Sequence, residues 1–210
     1  MTSISDKAVL KQVIEDIVAT TEVTDIHTHI YSEAFNELLL YGVDELITYH
    51  YLIAEYFRYS TMSYDDFFKL SKREQADLIW QTLFIDHSPI SEAHRGVLTV
   101  LAKLGLDVES RDLAAYRAYF DKMSKEEYIN KVFELSGVKE VVMTNDPFDP
   151  LEKPIWDSVG NQDSRFKAAL RVDPLLNTYD ESYLQLQQWG YTVDKGLDDR
   201  SIEEVKRFLK

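Results

Sequence analysis

The sequence predicts an α/β protein that is mostly helical by residue count. Residues 22–27, 138–146 and 165–172 have the pattern of strands, and a helical pattern fills residues 33–136. The second and third strand segments are apolar along their length, as expected of parallel strands covered on both faces. Since a closed barrel needs about eight strands, the three segments predict the first part of a larger α/β architecture.

The first two elements follow from local periodicity. Residues 6–19 predict a helix, because their apolar side chains recur on one helical stripe. The β-branched segment 22–27 predicts a short strand that ends at the histidines of "VTDIHTHIYS". The side chains of the helical stripe are Val9, Leu10, Val13, Ile14, Ile17 and Val18.

Start and stop signals support the helical region 33–136. Two Ser-x-x-Glu sequences have the spacing of capping boxes, in which the serine and glutamate side chains satisfy backbone N–H groups where a helix begins. Gly105 and Gly137 stand where helices end in a left-handed residue. The capping boxes pair Ser71 with Glu74 and Ser124 with Glu127.

Strand and helix signals alternate in the last third of the chain. The strands "VKEVVMTND" and "RFKAALRVDP" flank residues 147–164, which predict an ordered loop or a short helix. A helix over residues 180–189 is expected to stop at Gly190. Ser201 and Glu204 then predict the start of a final helix.

Composition limits the class of partner. The 210 residues are 45% hydrophobic and 29% charged, which is typical of a globular protein. The net charge of −14 is spread along the chain. It argues against nucleic acid or an anionic membrane as the main partner, because phosphate groups need a cationic surface. A small anionic substrate needs only one or two local arginines, so it remains compatible.

Other features point to a cytoplasmic protein. The chain has no cysteine, which excludes disulfides and thiolate metal sites. The N-terminal segment lacks the uninterrupted apolar core of a signal peptide. No segment approaches the roughly 18 apolar residues of a membrane span. We therefore expect a cytoplasmic protein without a membrane partner.

His27 and His29 are the first candidate site residues. They lie one residue apart at the expected carboxyl end of the first strand, where alternation would turn both imidazoles to one face. Two neutral imidazoles that converge can bind a metal ion. The alternative is two histidines that lie near a strand end without a shared role. Asp25 is either a partner of the histidines or an ordinary strand-end residue.

His50 and Tyr51 form a second candidate pair, within the aromatic segment "ELITYHYLIAEYFRY". The residues alone favour a core histidine with a satisfied hydrogen bond beside a packed tyrosine. The functional alternative is that both side chains bind a substrate near the metal.

Arg171 is the third candidate, near the end of the apolar segment "AALRVDP". A buried arginine is costly unless it is paired, so the plainer interpretation is an ion pair with Asp173 or another acid. The functional alternative is a two-point contact with a substrate carboxylate. Thr144 and Asp146 end the preceding strand at the same edge, although an aspartate before proline is more often a turn residue.

Taken in order, these segments resemble the uronate (glucuronate) isomerases of the amidohydrolase superfamily. The motif "TDIHTH" resembles the metal-binding motif of that superfamily, and a long helical segment after the first strand is similar to the uronate isomerases. The resemblance spans nearly the whole chain. It continues through "TYHYLIAEYFR", "SKREQADLIWQTLF", "RGVLTVLAKLGLD", "VVMTNDPFDP" and "RFKAALRVDPLLN".

The resemblance implies an incomplete (β/α) TIM barrel of the metal-dependent-hydrolase type. Residues 1–32 and 137–210 would form the partial barrel, and residues 33–136 the helical insertion. The family is much longer than this chain, which resembles its N-terminal half. A further metal ligand, an aspartate at the end of the last barrel strand, and an arginine that follows it have no counterpart here.

The resemblance also implies a reaction, the interconversion of D-glucuronate and D-fructuronate at a divalent metal, with zinc expected. His27 and His29 would be metal ligands, and His50, Tyr51 and Arg171 would contact the uronate substrate. The expected partners are this small molecule and either the C-terminal half, needed for activity, or a second copy of the chain. The alternatives are another metal-dependent hydrolase or decarboxylase of the superfamily, or an inactive truncated fragment.

Overall fold

A three-stranded parallel sheet and twelve α-helices make up the part of the chain that this computed structural model describes. The described residues are 6–36, 38–158 and 163–210. Helices account for most of the residues, and the parallel sheet is compatible with the α/β class predicted from the sequence.

The chain folds as two compact units. Within the described ranges, the first contains residues 6–21 and 36–137, and the second contains residues 22–35 and 138–210. The domain boundaries predicted from the sequence stay a prediction.

Helices form the whole secondary structure of the first unit, as far as its residues are described. The predicted helix over residues 6–19 is confirmed, but it buries none of its side chains, and Val18 on its apolar stripe is 71% exposed. The helices are α1 (Lys7–Thr20), α2 (Val43–Ile47), α3 (His50–Tyr56), α4 (Tyr64–Phe67), α5 (Lys72–Trp80), a π-helical segment (Gln81–Asp86), α6 (Glu92–Lys103), α7 (Leu113–Phe120) and α8 (Lys125–Ser136).

Both predicted capping boxes form. The backbone N–H of Ser71 donates to the Glu74 carboxylate over 2.8 Å, and that of Ser124 donates to Glu127 over 2.7 Å. Each serine hydroxyl accepts the reciprocal bond from the glutamate N–H, so two otherwise unpaired donors are satisfied at each helix start. The two glycines predicted to end helices have positive φ, 85° at Gly105 and 68° at Gly137.

The core of the first unit is aliphatic and aromatic. Ile47, Phe67 and Leu101, from three separate helices, are fully buried. Phe67 packs against the ring of Tyr56 at 5.3 Å and that of Phe57 at 5.2 Å between centroids. Rings at these separations contribute stabilisation beyond the apolar area that they bury.

His94 is a buried titratable group inside this core. It is 5% exposed, and its ring packs against that of Phe84 in a T-shaped arrangement, with 5.1 Å between centroids. Its Nε2 lies 3.3 Å from a carboxylate oxygen of Glu55 without hydrogen-bond geometry. Burial lowers the pKa of His94, and the charge of Glu55 offsets only part of that effect.

We expect the free energy of unfolding to fall as the pH is lowered through about 6.5, the ordinary histidine pKa, towards the lowered pKa of folded His94. Over this range His94 becomes protonated in the unfolded chain, whereas in the folded chain it stays neutral because its pKa is lowered. Urea unfolding at a series of pH values measures the slope, and His94→Gln should make it shallower. Identical slopes for the two proteins would contradict the prediction.

The sheet lies in the second unit. Its strands are β1 (Val23–Asp25), β2 (Val138–Asn145) and β3 (Phe166–Leu170), paired in parallel in the order β1-β2-β3. All three predicted strands are therefore confirmed. Because the strands are parallel, their carboxyl ends lie at the same edge of the sheet.

The strands differ from the prediction in length and burial. β1 ends at Asp25, so it stops before His27 rather than at it. The expectation that β3 is covered on both faces is wrong, since Lys167 is exposed and Leu170 is 47% exposed. Among the described residues β3 pairs with β2 alone, so it is an edge strand.

Four α-helices and a short 3-10 helix (Glu33–Phe35) complete the second unit. Leu186 and Val193 belong to its small core. The predicted helix over residues 180–189 is confirmed. Nowhere in the described ranges is there a helix with the length and apolar character needed to cross a membrane. The helices are α9 (Glu152–Ser158), which falls in the predicted loop or short helix, α10 (Asp173–Asn177), α11 (Tyr179–Gln188) and α12 (Asp199–Phe208).

The predicted cap of the last helix is wrong. Asp198 caps α12 instead, because its carboxylate accepts the N–H of Ser201 over 2.8 Å. Ser201 is fully buried within the helix, where its hydroxyl accepts the N–H of Asp194. Glu204 accepts the N–H of Thr192 rather than that of the helix start.

Candidate functional site

The carboxyl edge of the sheet brings together most of the polar residues that the sequence singles out. The two histidines follow β1, Asp146 directly follows β2, and Arg171 directly follows β3. In open α/β sheets, this is the edge at which ligands bind.

His27 and His29 lie side by side in the loop after β1. Their ring centroids are 5.4 Å apart and their planes are nearly perpendicular, at 89°. Both residues are exposed. The Asp25 carboxylate accepts the backbone N–H of His27 over 3.0 Å, so this aspartate stabilises the loop that carries the pair. The loop, rather than strand alternation, therefore sets the directions of the two imidazoles.

The histidine pair fits a metal ion in part. Imidazole nitrogen is a common zinc ligand, and the two rings are close enough to be directed at one ion. Zinc sites in proteins have three or four protein ligands. Within the described ranges no group of three or more His, Asp or Glu side chains could hold a metal, so the pair supplies only part of a ligand set.

A buried carboxylate from the start of α9, which sequence reasoning missed, contacts the end of β2. Glu152 is only 7% exposed, and its Oε2 accepts the side-chain amide of Asn145 over 3.3 Å and the backbone N–H of Asp146 over 3.2 Å. Asp146 is a turn residue, because its own carboxylate accepts the N–H of Phe148. Thr144 is exposed. A glutamate just after a proline-rich turn has no sequence signal that separates it from a surface acid.

Arg171 is exposed, so the premise that it is buried in a strand is wrong. Its backbone N–H donates to the carbonyl of Asn145 over 2.8 Å, which fixes the backbone at the edge of the sheet. Its Nε donates to the Asp173 carboxylate over 2.7 Å, which is the predicted ion pair. That hydrogen bond and the charges of Asp173, Asp146 and Glu152 raise the pKa of Arg171.

His50 and Tyr51 are neighbours at the start of α3, in the first unit. Both are exposed, and their ring centroids are 4.1 Å apart. The Tyr49 ring lies 4.2 Å from that of His50, so three adjacent aromatic rings are in contact. The plainer interpretation of a core histidine beside a packed tyrosine is therefore wrong, because the core is reached by Leu52 instead. Their role in substrate binding stays a prediction.

The chain is similar to a uronate isomerase from Bacillus halodurans C-125, whose crystal structure was solved at 2.00 Å resolution. The two share 52% sequence identity with a TM-score of 0.94, over 99% of this chain and 49% of that chain. This chain thus spans about half the length of the protein that it matches. No protein-family model and no curated protein matches the chain.

Proposed function

We propose that this chain is part of a uronate isomerase of the amidohydrolase superfamily. The reaction would interconvert D-glucuronate and D-fructuronate, an aldose and its ketose. The observation that carries the proposal is the 52% identity to a uronate isomerase over 99% of the chain. The sheet, with parallel strands in sequential order, would be the first part of a (β/α) TIM barrel, and the first unit would supply the helical insertion.

Each candidate residue has a role that its chemistry supports. Arg171 would bind the substrate carboxylate through its guanidinium fork, and so distinguish a uronate from a neutral sugar. His50 and Tyr51 would form hydrogen bonds with the sugar hydroxyls. These bonds would orient the carbon backbone of the sugar. Their exposure leaves both side chains accessible to a small molecule.

His27 and His29 would hold a divalent metal, with zinc expected. When bound, such an ion polarises the sugar carbonyl and so acidifies the proton on the adjacent carbon. The isomerisation moves that proton between neighbouring carbons and therefore also needs a base. An aspartate outside these residues, by resemblance to the family, would complete the ligand set and is the candidate for the proton transfer.

Deuterium uptake tests the proposed reaction directly. The chain is incubated with D-glucuronate and zinc in deuterium oxide, and deuterium at C2 of the sugar is measured by NMR. We expect the chain alone to bind D-glucuronate. We expect uptake and ketose formation when the C-terminal half that would carry the base is added, because isomerisation exchanges this proton with a base. Saturation-transfer NMR measures D-glucuronate binding in parallel. Absence of both exchange and binding would contradict the proposal.

The control is a histidine outside the site. His87 lies in the first unit, is exposed, and has its Nδ1 at 2.7 Å from the carbonyl oxygen of Thr82. His87→Ala should leave the exchange unchanged, whereas the double variant His27→Ala/His29→Ala should abolish it.

A further inference from the structure

The Arg171 guanidinium is already paired with a carboxylate of the same chain. Its Nε donates to the Asp173 Oδ2 over 2.7 Å, and both side chains are about half exposed, at 52% and 56%. Asp146 and Glu152 also act on Arg171 through their charges. The immediate surroundings of the arginine are therefore net negative, which opposes the approach of an anionic ligand.

An incoming carboxylate would bind the guanidinium fork of Arg171, meaning the set of N–H groups with which Asp173 already forms a hydrogen bond. A guanidinium binds a carboxylate best when two N–H groups donate in parallel, and Asp173 uses the Nε side of the fork. Because the ion pair is solvent-exposed, it can exchange partners without disturbing buried packing. Exposed pairs are weak, so the exchange is accessible to a small ligand.

We propose that Asp173 is a positioning residue that occupies the Arg171 fork until a substrate carboxylate displaces it, and so sets the affinity for anionic sugars. This inference rests on the proposed function, because it assigns the Arg171 fork to the uronate carboxylate. Asp173 holds the guanidinium through the hydrogen bond from Nε, and it competes with the ligand for the same N–H groups. The competition lowers the affinity of every carboxylate ligand, so appreciable binding requires the further contacts that a uronate makes.

A purely structural role for Asp173 predicts the opposite result. Asp173 is the first residue of α10, and an acidic side chain there stabilises a helix start. If that were its only role, Asp173→Asn would loosen the segment after β3 and weaken any binding at Arg171. The competing role predicts tighter binding, so the direction of the change separates the two explanations.

The experiment is a titration of the 210-residue chain with D-glucuronate, followed through the Nε–H resonance of Arg171 in nitrogen-15 NMR spectra. Loss of this signal in Arg171→Lys assigns it. We expect Asp173→Asn to lower the dissociation constant about two- to fivefold, the range expected when an exposed ion pair is removed. Asp173→Glu, which keeps the competing carboxylate, should restore the original affinity. Titration with D-glucose, which has no carboxylate, should not respond to the substitution.

Asp199→Asn is the matched control for net charge. Asp199 is also an exposed aspartate at the first position of a helix in the same unit. Equal tightening in Asp173→Asn and Asp199→Asn would show a general charge effect and overturn the inference. Unchanged or weaker binding in Asp173→Asn, with binding intact in the unchanged chain, would overturn the inference while the proposed function stands. Absence of binding in every protein would overturn both.

Discussion

The double variant His27→Ala/His29→Ala should bind zinc at least about a hundredfold more weakly than the unchanged chain. Changing a side chain that merely supports a metal ligand costs about 10- to 100-fold in affinity, and this variant removes two ligands outright. The two rings are adjacent in an exposed loop, so their removal creates no cavity in the core. Competition with a chromogenic chelator measures the affinity of each protein.

His87→Ala serves as the control for nonspecific binding by exposed imidazole and should retain the original zinc affinity. Equal affinity in the double variant and the unchanged chain would mean that zinc binds elsewhere, which would contradict the proposed ligands. Far-UV circular dichroism of the variants confirms that the fold persists, because no residue of the sheet or core is altered.

Phe67→Ala should lower the free energy of unfolding by about 3–5 kcal/mol. The side chain is completely buried and packs against Tyr56 and Phe57, so truncation removes both the apolar burial and the ring contacts. Urea unfolding followed by circular dichroism gives the difference. A loss below about 1 kcal/mol would show that the core collapses around the missing ring.

Phe68, the next residue in the sequence, provides the matched control for Phe67→Ala. Phe68 is 60% exposed although it is adjacent in sequence and identical in chemistry. Phe68→Ala should change the free energy of unfolding by no more than about 1 kcal/mol. Similar losses in the two variants would contradict the assignment of Phe67, rather than Phe68, to the core.

Local sequence signals predicted helix ends correctly where the residue type has a single common role at a helix end. Gly137 ends α8 in the left-handed region, and the Ser124 capping box begins the same helix. Ser201 was misassigned because the chain offers two oxygen-bearing residues three positions apart, and Asp198 takes the cap. Which of two competent caps is used depends on tertiary contacts, here the hydrogen bond from Asp194 to the Ser201 hydroxyl.

The sequence predicted some residues of the candidate site, but it did not predict which of them are buried. The spacing of His27 and His29 indicated a pair, and the structure places the two rings in contact. The apolar neighbours of Arg171 wrongly suggested burial, because hydrophobic periodicity does not tell an edge strand from a central one. Glu152 has no sequence signal at all, since its burial arises from the turn that folds it back onto Asn145.

The order of the strands has a consequence for how the chain folds. β2 and β3 are close in sequence, whereas the bond between Thr24 and Glu140 joins residues 116 positions apart. Closing a loop of that length costs about 4 kcal/mol of chain entropy, roughly 1 kcal/mol more than joining β2 to β3. Local helices and the β2–β3 pair should therefore form first, and β1 should join last. The loop with His27 and His29 follows β1. An ion bound there would therefore stabilise the state in which β1 has joined the sheet, and would oppose its detachment.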